Sequence, residues 1–433
     1  MQVNNLKIYS LLVSLIPISI IFSIFLADLL VTLTSIFFLI FVIINKKFNF
    51  LNCIEFKLFL FFYAILIIGS LLSDYNSSII VSLTYLRFGL FFLLIKYLLI
   101  NNINFKKYIC SSLVISILIL FLGFILQLFN FEFLVNNKPE FRYTSFFNDE
   151  AVLGGYLIKV IPLTIGLLIY FKQNKLLLCV FLISIVMICF SGERSSQFLL
   201  IIFITISFLY LPYSKKIKVI LSFIIIIIIS TIIFTNEKIK LRVLTQTLFQ
   251  MGIIDQKEKY IEIELKNKEG EKITMALIKE DYFIPLKYYL LFNASINIFL
   301  DNVVLGSGVK TFRKKCNEPD YYQIQNYSLF KDKPYNYYEG FTGIDSCSTH
   351  PHNYYIQILA ETGIIAFLII VLLFIYSTSK IFVSKKLYYK FFAIGTFLNL
   401  FPIVLTGSFY NNFISILIFL TLSFLKNDKN DKV

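Results

Sequence analysis

Apolar residues run along this chain in blocks of about 20, separated by short polar stretches, not alternating with polar neighbours. Blocks of that length predict helices that cross a bilayer, where each backbone group must find its partner inside its own segment. Strands of a membrane barrel would alternate, so the pattern argues against a barrel. Twelve segments are expected, at 8–26, 29–45, 57–73, 79–100, 109–129, 151–171, 176–191, 196–212, 217–234, 354–376, 388–405 and 408–425. The expected fold is an all-α polytopic membrane protein of about twelve transmembrane helices, with one long loop between spans nine and ten. Three regions follow: helices one to nine over 1–234, the loop over 235–353, and helices ten to twelve over 354–433.

Composition agrees with this pattern. Hydrophobic residues make up 58% of the chain and the mean hydropathy is +0.78, too apolar for a water-soluble domain. The first span lacks a small-residue cleavage site and reads as a retained helix, not a signal peptide.

A net charge of +14 would suit nucleic acid if it were gathered on a soluble surface. Instead the positive charges sit in alternate short connections. Lys46, Lys47 and Lys57 lie between spans two and three, and Lys96, Lys106 and Lys107 at or after the end of span four. Lys172 and Lys175 follow span six, Lys215, Lys216 and Lys218 span eight, and Lys380, Lys385 and Lys386 span ten. Lys426, Lys429 and Lys432 follow span twelve. The intervening short loops, Ser73-Asp74-Tyr75-Asn76 and Thr406-Gly407-Ser408, carry no Lys or Arg. The positive-inside rule then puts both termini in the cytoplasm and the long loop outside it.

Within the loop, Tyr260 to Lys266 and Glu271 to Ile278 flank a Gly-containing turn and predict a β-hairpin near 260–278. The stretch 284–300 is apolar but rich in Tyr and Asn, and reads as a helix at the outer interface. Cys316 and Cys347 share this outside segment, so a disulfide is expected if the compartment is oxidising; two unpaired thiols are the other reading.

Candidate chemistry collects on the same outer side. Both histidines of the chain, His350 and His352, flank Pro351 where the loop meets span ten. Thr349 and Pro351 resemble a helix start, whose positive dipole end favours the neutral imidazole that a general base needs. Asn353, Gln357 and Glu361 follow at spacing four, a polar stripe that enters an apolar helix. Ser191-Gly192-Glu193-Arg194 makes a tight turn between spans seven and eight. Arg194 there could fork onto phosphate oxygens, or snorkel, or pair only with Glu193. The segment before span six brings Arg142, Asp149 and Glu150 to this face, with Lys159 about two turns inside the span and in need of an anionic partner. Lys310 and Arg313 follow the turn Gly306-Ser307-Gly308 and could help to hold an anion. The sequence has no Walker motif and no zinc spacing of Cys and His, so neither ATP use nor metal catalysis is expected.

With these residues in view, the chain resembles the O-antigen ligase and O-antigen polymerase family of bacterial envelope glycan transferases. His352-Asn353-Tyr354-Tyr355-Ile356-Gln357-Ile358-Leu359-Ala360-Glu361-Thr362-Gly363 is similar to that family's His-Asn-x-x-Leu-Gln-x-x-Ala-Glu-x-Gly. Gly192-Glu193-Arg194-Ser195 and Leu305-Gly306-Ser307-Gly308 support the likeness. It implies an inner-membrane enzyme that needs no cofactor and no metal. Such an enzyme transfers a glycan from an undecaprenyl-diphosphate-linked donor to an acceptor hydroxyl at the periplasmic face. The acceptor is lipid A core for a ligase and a lipid-linked repeat for a polymerase, with a ligase preferred. It implies Arg194 as anchor of the donor diphosphate and His352 as activator of the acceptor hydroxyl. Arg142, Lys159, Lys287, His350, Asn353, Gln357 and Glu361 are the substrate-binding candidates. One departure stands out. Many members carry a second Arg ahead of the Gly motif, where this chain offers Lys287, which lacks the bidentate fork. A competing reading is a twelve-span transporter or lipid-linked glycan flippase. That would predict ionisable groups through many spans and two similar halves, whereas here they cluster on one face.

Overall fold

The computed structural model describes residues 3–129, 131, 142–148, 150–245, 247–248, 260–266, 272–278, 286–325 and 344–425. Thirteen helices of ten residues or more are found among them. They are α1 (Val3–Phe22), α2 (Ile24–Ile44), α3 (Ile54–Leu71), α4 (Asn76–Asn101), α5 (Phe105–Leu128), α6 (Leu153–Tyr170) and α7 (Asn174–Phe190). The rest are α8 (Arg194–Tyr210), α9 (Lys215–Thr235), α10 (Leu286–Asp301), α11 (Tyr354–Val383), α12 (Leu387–Asn399) and α13 (Asn412–Ser423). Eleven of the twelve expected segments overlap one helix each, and the first, 8–26, runs through α1 into the start of α2. Seven helices are long and apolar enough to cross a membrane: α2, α3, α4, α5, α6, α9 and α11. Large apolar side chains point outward along several of them, such as Phe25, Phe37, Ile226 and Leu372. That is the inverse of a water-soluble surface and suits lipid.

Several boundaries differ from expectation. The first two segments part at Ser23, whose hydroxyl accepts from the Leu26 amide and caps α2. The last two helices are short, 13 residues for α12 and 12 for α13. At about 1.5 Å per residue neither spans a hydrocarbon core of about 30 Å. Residues 400–411 between them are irregular and turn back into the bundle.

Helix α6 is the centre of the bundle, with 83% of its residues buried. Gly166 lets α12 approach, since a side chain there would strike the Phe392 ring. Connections that carry lysine meet at one end. Lys96 pairs with Glu55 at 2.7 Å, Lys106 lies over Tyr170, and Tyr170 stacks edge-on against Tyr388. At the other end the α3–α4 turn reaches the loop through Tyr75 and Glu318, whose oxygens lie 2.6 Å apart.

In the loop, Tyr260–Lys266 and Lys272–Ile278 form an antiparallel pair (β1 and β2), with Ile263 opposite Met275. Two shorter strands, Ile324–Gln325 (β3) and Ile344–Asp345 (β4), pair likewise. A small apolar core of Leu291, Ala294, Ile298, Phe312 and Tyr321 packs α10 against Ala360 of α11. The Cys316–Cys347 disulfide lies beside it, with Cα atoms 5.2 Å apart.

Candidate functional site

Helix α11 starts later than the Thr349-Pro351 signal suggests. Asn353 is its N-cap, extended at φ −144°, and its side-chain oxygen accepts from the amides of Tyr355 and Ile356. Its amide group donates to the Pro402 carbonyl at 2.8 Å. Asn353 is therefore a capping and tethering group and not the first member of a helical stripe. His352, one residue earlier, lies outside the helix at φ +60°. The Thr406 amide donates to its carbonyl at 2.8 Å, so the irregular 400–411 segment holds the histidine turn in place.

Gln357 and Glu361 do share a face, and Gln357 Nε2 donates to Glu361 Oε2 at 3.0 Å. Both are fully buried. Gln357 also donates to Ser408 Oγ and accepts from the Phe409 amide. The Glu361 carboxylate accepts from the amides of Lys310 at 2.9 Å and Phe312 at 3.2 Å. These side chains fasten the 302–312 loop and the 400–411 segment to α11, and that is where their bonding capacity goes.

The loop and α11 interlock at a break in the helix. Gly363 adopts φ +74°, ψ −175°, a conformation closed to other residues. The Ile364 amide, lost to the helical ladder, donates to the Val303 carbonyl at 2.9 Å. In return the Ala360 carbonyl accepts from the Ser307 amide at 3.0 Å, and the Glu361 carbonyl from Gly308 at 2.9 Å. Gly306, at φ +69°, faces the α11 backbone so closely that a side chain would overlap Glu361 and Thr362. The two glycine motifs singled out in the sequence thus pack on each other.

The histidine rings lie 4.2 Å apart, with Tyr288 edge-on to His352 at 5.7 Å. Burial pushes the His352 pKa below its usual value, and the Lys287 charge adds to the shift. Burial likewise lowers His350, helped by His352, to about 4. Both rings are neutral near pH 7 as anticipated, but the cause is desolvation and neighbouring cations, since neither residue is in the helix. Thr349 Oγ1 bonds His350 Nδ1 at 2.9 Å, and the Thr406 backbone bonds the same ring, which opposes the effect of burial.

A second group lies around the α7–α8 turn. The Glu193 carboxylate accepts from the amides of Gly154 (2.7 Å) and Gly155 (2.9 Å) and from Ser196 Oγ (3.0 Å). An acid at the first turn of α6 meets both the orphan amides and the helix dipole. Burial raises its pKa, opposed by these donors and by Arg142. Arg194 begins α8 directly behind this turn and is half-buried. Gly192 has φ +64°, and its carbonyl accepts from Arg242 Nε at 2.9 Å. Lys159 is buried and donates to Tyr354 Oη at 2.8 Å. The anionic partner expected for it acts only through space, from Glu193.

That Lys159–Tyr354 bond joins the two groups, because Tyr354 is two residues beyond His352. The 400–411 segment bridges them as well. Phe401 packs on Phe198, one turn below Arg194, while Pro402 and Thr406 bond the histidine turn. Lys287 is engaged otherwise than expected. Its ammonium donates to the Asp345 carboxylate (2.5 Å), the Asp345 carbonyl (3.0 Å) and the Cys347 carbonyl (2.9 Å). All three protons are used, and they tether the disulfide strand to α10. Of the residues near Arg142, Asp149 lies outside the described residues.

Sequence reasoning missed the capping role of Glu193 and the part of Tyr354. The signals were present: a Gly-Gly pair opening span six, and a lysine two turns into a span that needed a partner. The use of Glu361 as a loop clamp left no such signal.

One family model matches, described as O-antigen ligase, over residues 179–371, a little under half of the chain. That range holds Arg194, both histidines and both glycine motifs, and excludes Arg142 and Lys159. No curated protein matches the chain.

Proposed function

From the premise that this multi-pass membrane protein carries an O-antigen ligase family region at residues 179–371, we propose that it transfers a glycan from an undecaprenyl-diphosphate-linked donor to an acceptor hydroxyl. We place the reaction at the periplasmic face, with both termini in the cytoplasm. Lipid A core is the preferred acceptor. The observation that carries the proposal is the pairing of a desolvated, neutral histidine turn with the Arg194 turn across Lys159, Tyr354 and the 400–411 segment.

In this mechanism Arg194, aided by Arg142 and Lys159, holds the donor diphosphate. Diphosphate leaves readily once its charge is balanced, so cations can take the place of an acid catalyst. His352 removes the proton of the acceptor hydroxyl as that oxygen attacks the anomeric carbon. The bond to the diphosphate oxygen breaks, the electron pair leaves with the diphosphate, and the anomeric centre inverts. No nucleotide sugar or metal is used. His350 orients its neighbour. Lys287 acts through the fold, because its donors are already committed.

The direct test is transfer in reconstituted membranes with a lipid-linked donor. Gene deletion separates ligase from polymerase. Loss of a ligase leaves polymer on the lipid carrier, whereas loss of a polymerase leaves core capped by one repeat.

The histidine environment sets the pH dependence. A base acts while unprotonated, and the His352 pKa is depressed below 6.5. Transfer is therefore expected to stay level through neutrality and to fall only below pH 6.5. Folding stability follows the same sign. An unfolded chain takes up these protons from pH 6.5 downward, and the folded His350 does so only near 4, so stability is lost as pH falls through that window. An acid limb centred above pH 6.5 would remove His352 as the base.

A further inference from the structure

A cavity of about 300 Å3 opens beside the 302–312 loop, with no residue of α11 in its lining. Its polar lining comes from three elements: Ser73 and Asp74 of the α3–α4 turn, Asp301 and Asn302 at the end of α10, and Ser307 and Lys315 of the loop. Leu72, Val303, Val304 and Leu305 supply an apolar wall. None of these polar groups is used in the transfer step.

The lining is mixed in a telling way. Lys315 is largely buried, its side chain 12% exposed, yet its nearest carboxylates, Asp74 and Glu318, are both 4.0 Å away. At that distance neither contact is a hydrogen bond, so the ammonium has charge partners among the described residues but no close acceptor there. Tyr321 Oη donates to Asp301 Oδ2 at 2.6 Å and fixes that carboxylate at the rim. Phosphate would face two carboxylates here. A metal ion would face a lysine ammonium. A neutral sugar satisfies both, because each hydroxyl can donate to Asp74 or Asp301 and accept from Lys315 or Asn302. The apolar wall suits the C–H face of a pyranose ring.

We propose that this cavity is a subsite for a neutral sugar ring of the transferred or accepting glycan. The proposal deepens the transferase reading and rests on it for the source of the sugar. Arg313, two residues before Lys315, acts electrostatically on His350, so the cavity and the histidine turn lie at the same end of the bundle.

The test is saturation-transfer NMR on the full chain in nanodiscs, with glucose, galactose and N-acetylglucosamine as separate probes. Wild type is expected to saturate at least one of the three. Asp74→Asn, on an exposed turn, and Lys315→Gln should each weaken it by roughly tenfold, the effect of one charge-assisted hydrogen bond. His352→Ala should bind as wild type does. No signal from any probe overturns the subsite, as does an undiminished signal in both variants or displacement of the sugar by magnesium ion. The readout needs no turnover. If transfer fails while sugar binding depends on Asp74 and Lys315, the subsite stands and the transferase reading falls. If transfer proceeds and no sugar binds, the reverse holds.

Discussion

His352→Ala will lower glycan transfer by about a hundredfold to ten-thousandfold, the range a positioned proton acceptor contributes. Arg194→Ala will cost at least about a hundredfold, as removing a single preorganised electrostatic contact does elsewhere. The two losses should differ in kind. Without the base, donor binding survives and the turnover rate falls. Without the Arg, the diphosphate loses charge balance in the ground state and more so in the transition state, so donor affinity falls too. Arg194→Lys should recover little, since lysine cannot fork onto two phosphate oxygens. Neither side chain is part of the interlock at Gly363, so both variants should insert and extract as wild type does. Single-turnover assays in proteoliposomes with a lipid-linked donor decide the matter. Wild-type glycan profiles from both alanine variants would refute the assignment.

Gly363→Ala will unseat the loop from α11. Two costs add. At φ +74°, ψ −175° an alanine is strained by about 1–3 kcal/mol. Its Cβ would also overlap the Val304 carbonyl and approach the Leu305 amide at 2.7 Å, and overpacking of this sort costs about 1–3 kcal/mol more. The neighbour it strikes is backbone and cannot turn aside. The sum of about 2–6 kcal/mol is a large fraction of a typical stability of 5–15 kcal/mol. Gly407→Ala is the control, because its Cβ would meet Ile414 only at an ordinary 3.6 Å. Thermal midpoints in detergent should drop for the first variant and barely move for the second. Equal midpoints would show that the interlock contributes little.

Much of this arrangement was legible in the residues. Long apolar blocks announce helices because lipid offers the backbone no other partner, and alternate lysines sort the connections. The histidine pair stood out at a polar-apolar boundary. The remainder depends on contacts across long stretches of chain. Glu361 shares a helix face with Gln357, but its other donors lie 49 and 51 residues away. Lys287 reads as a free cation until Asp345, 58 residues on, closes over it. Asn353 outcompeted Thr349 and Pro351 as the helix start because its side chain reaches two amides at once. The break at Gly363 is silent because a single glycine within a helical pattern is ordinarily tolerated without a break, and the short α12 and α13 look from sequence like full crossings.

The exchange of hydrogen bonds at the helix break also bears on the order in which the protein is built. Helix α11 carries an open rung, with an amide at Ile364 and a carbonyl at Ala360 that its own turns do not satisfy. Alone in hydrocarbon it would have to close that rung and pass through Gly363 as an ordinary helix. Its partner is made first: Ser307 precedes Ala360 by 53 residues. A ribosome working from the N-terminus therefore delivers the 302–312 loop before the helix that needs it. Exchanging the two segments in a permuted chain would keep every contact of the finished fold and still deny the nascent helix its partner during insertion.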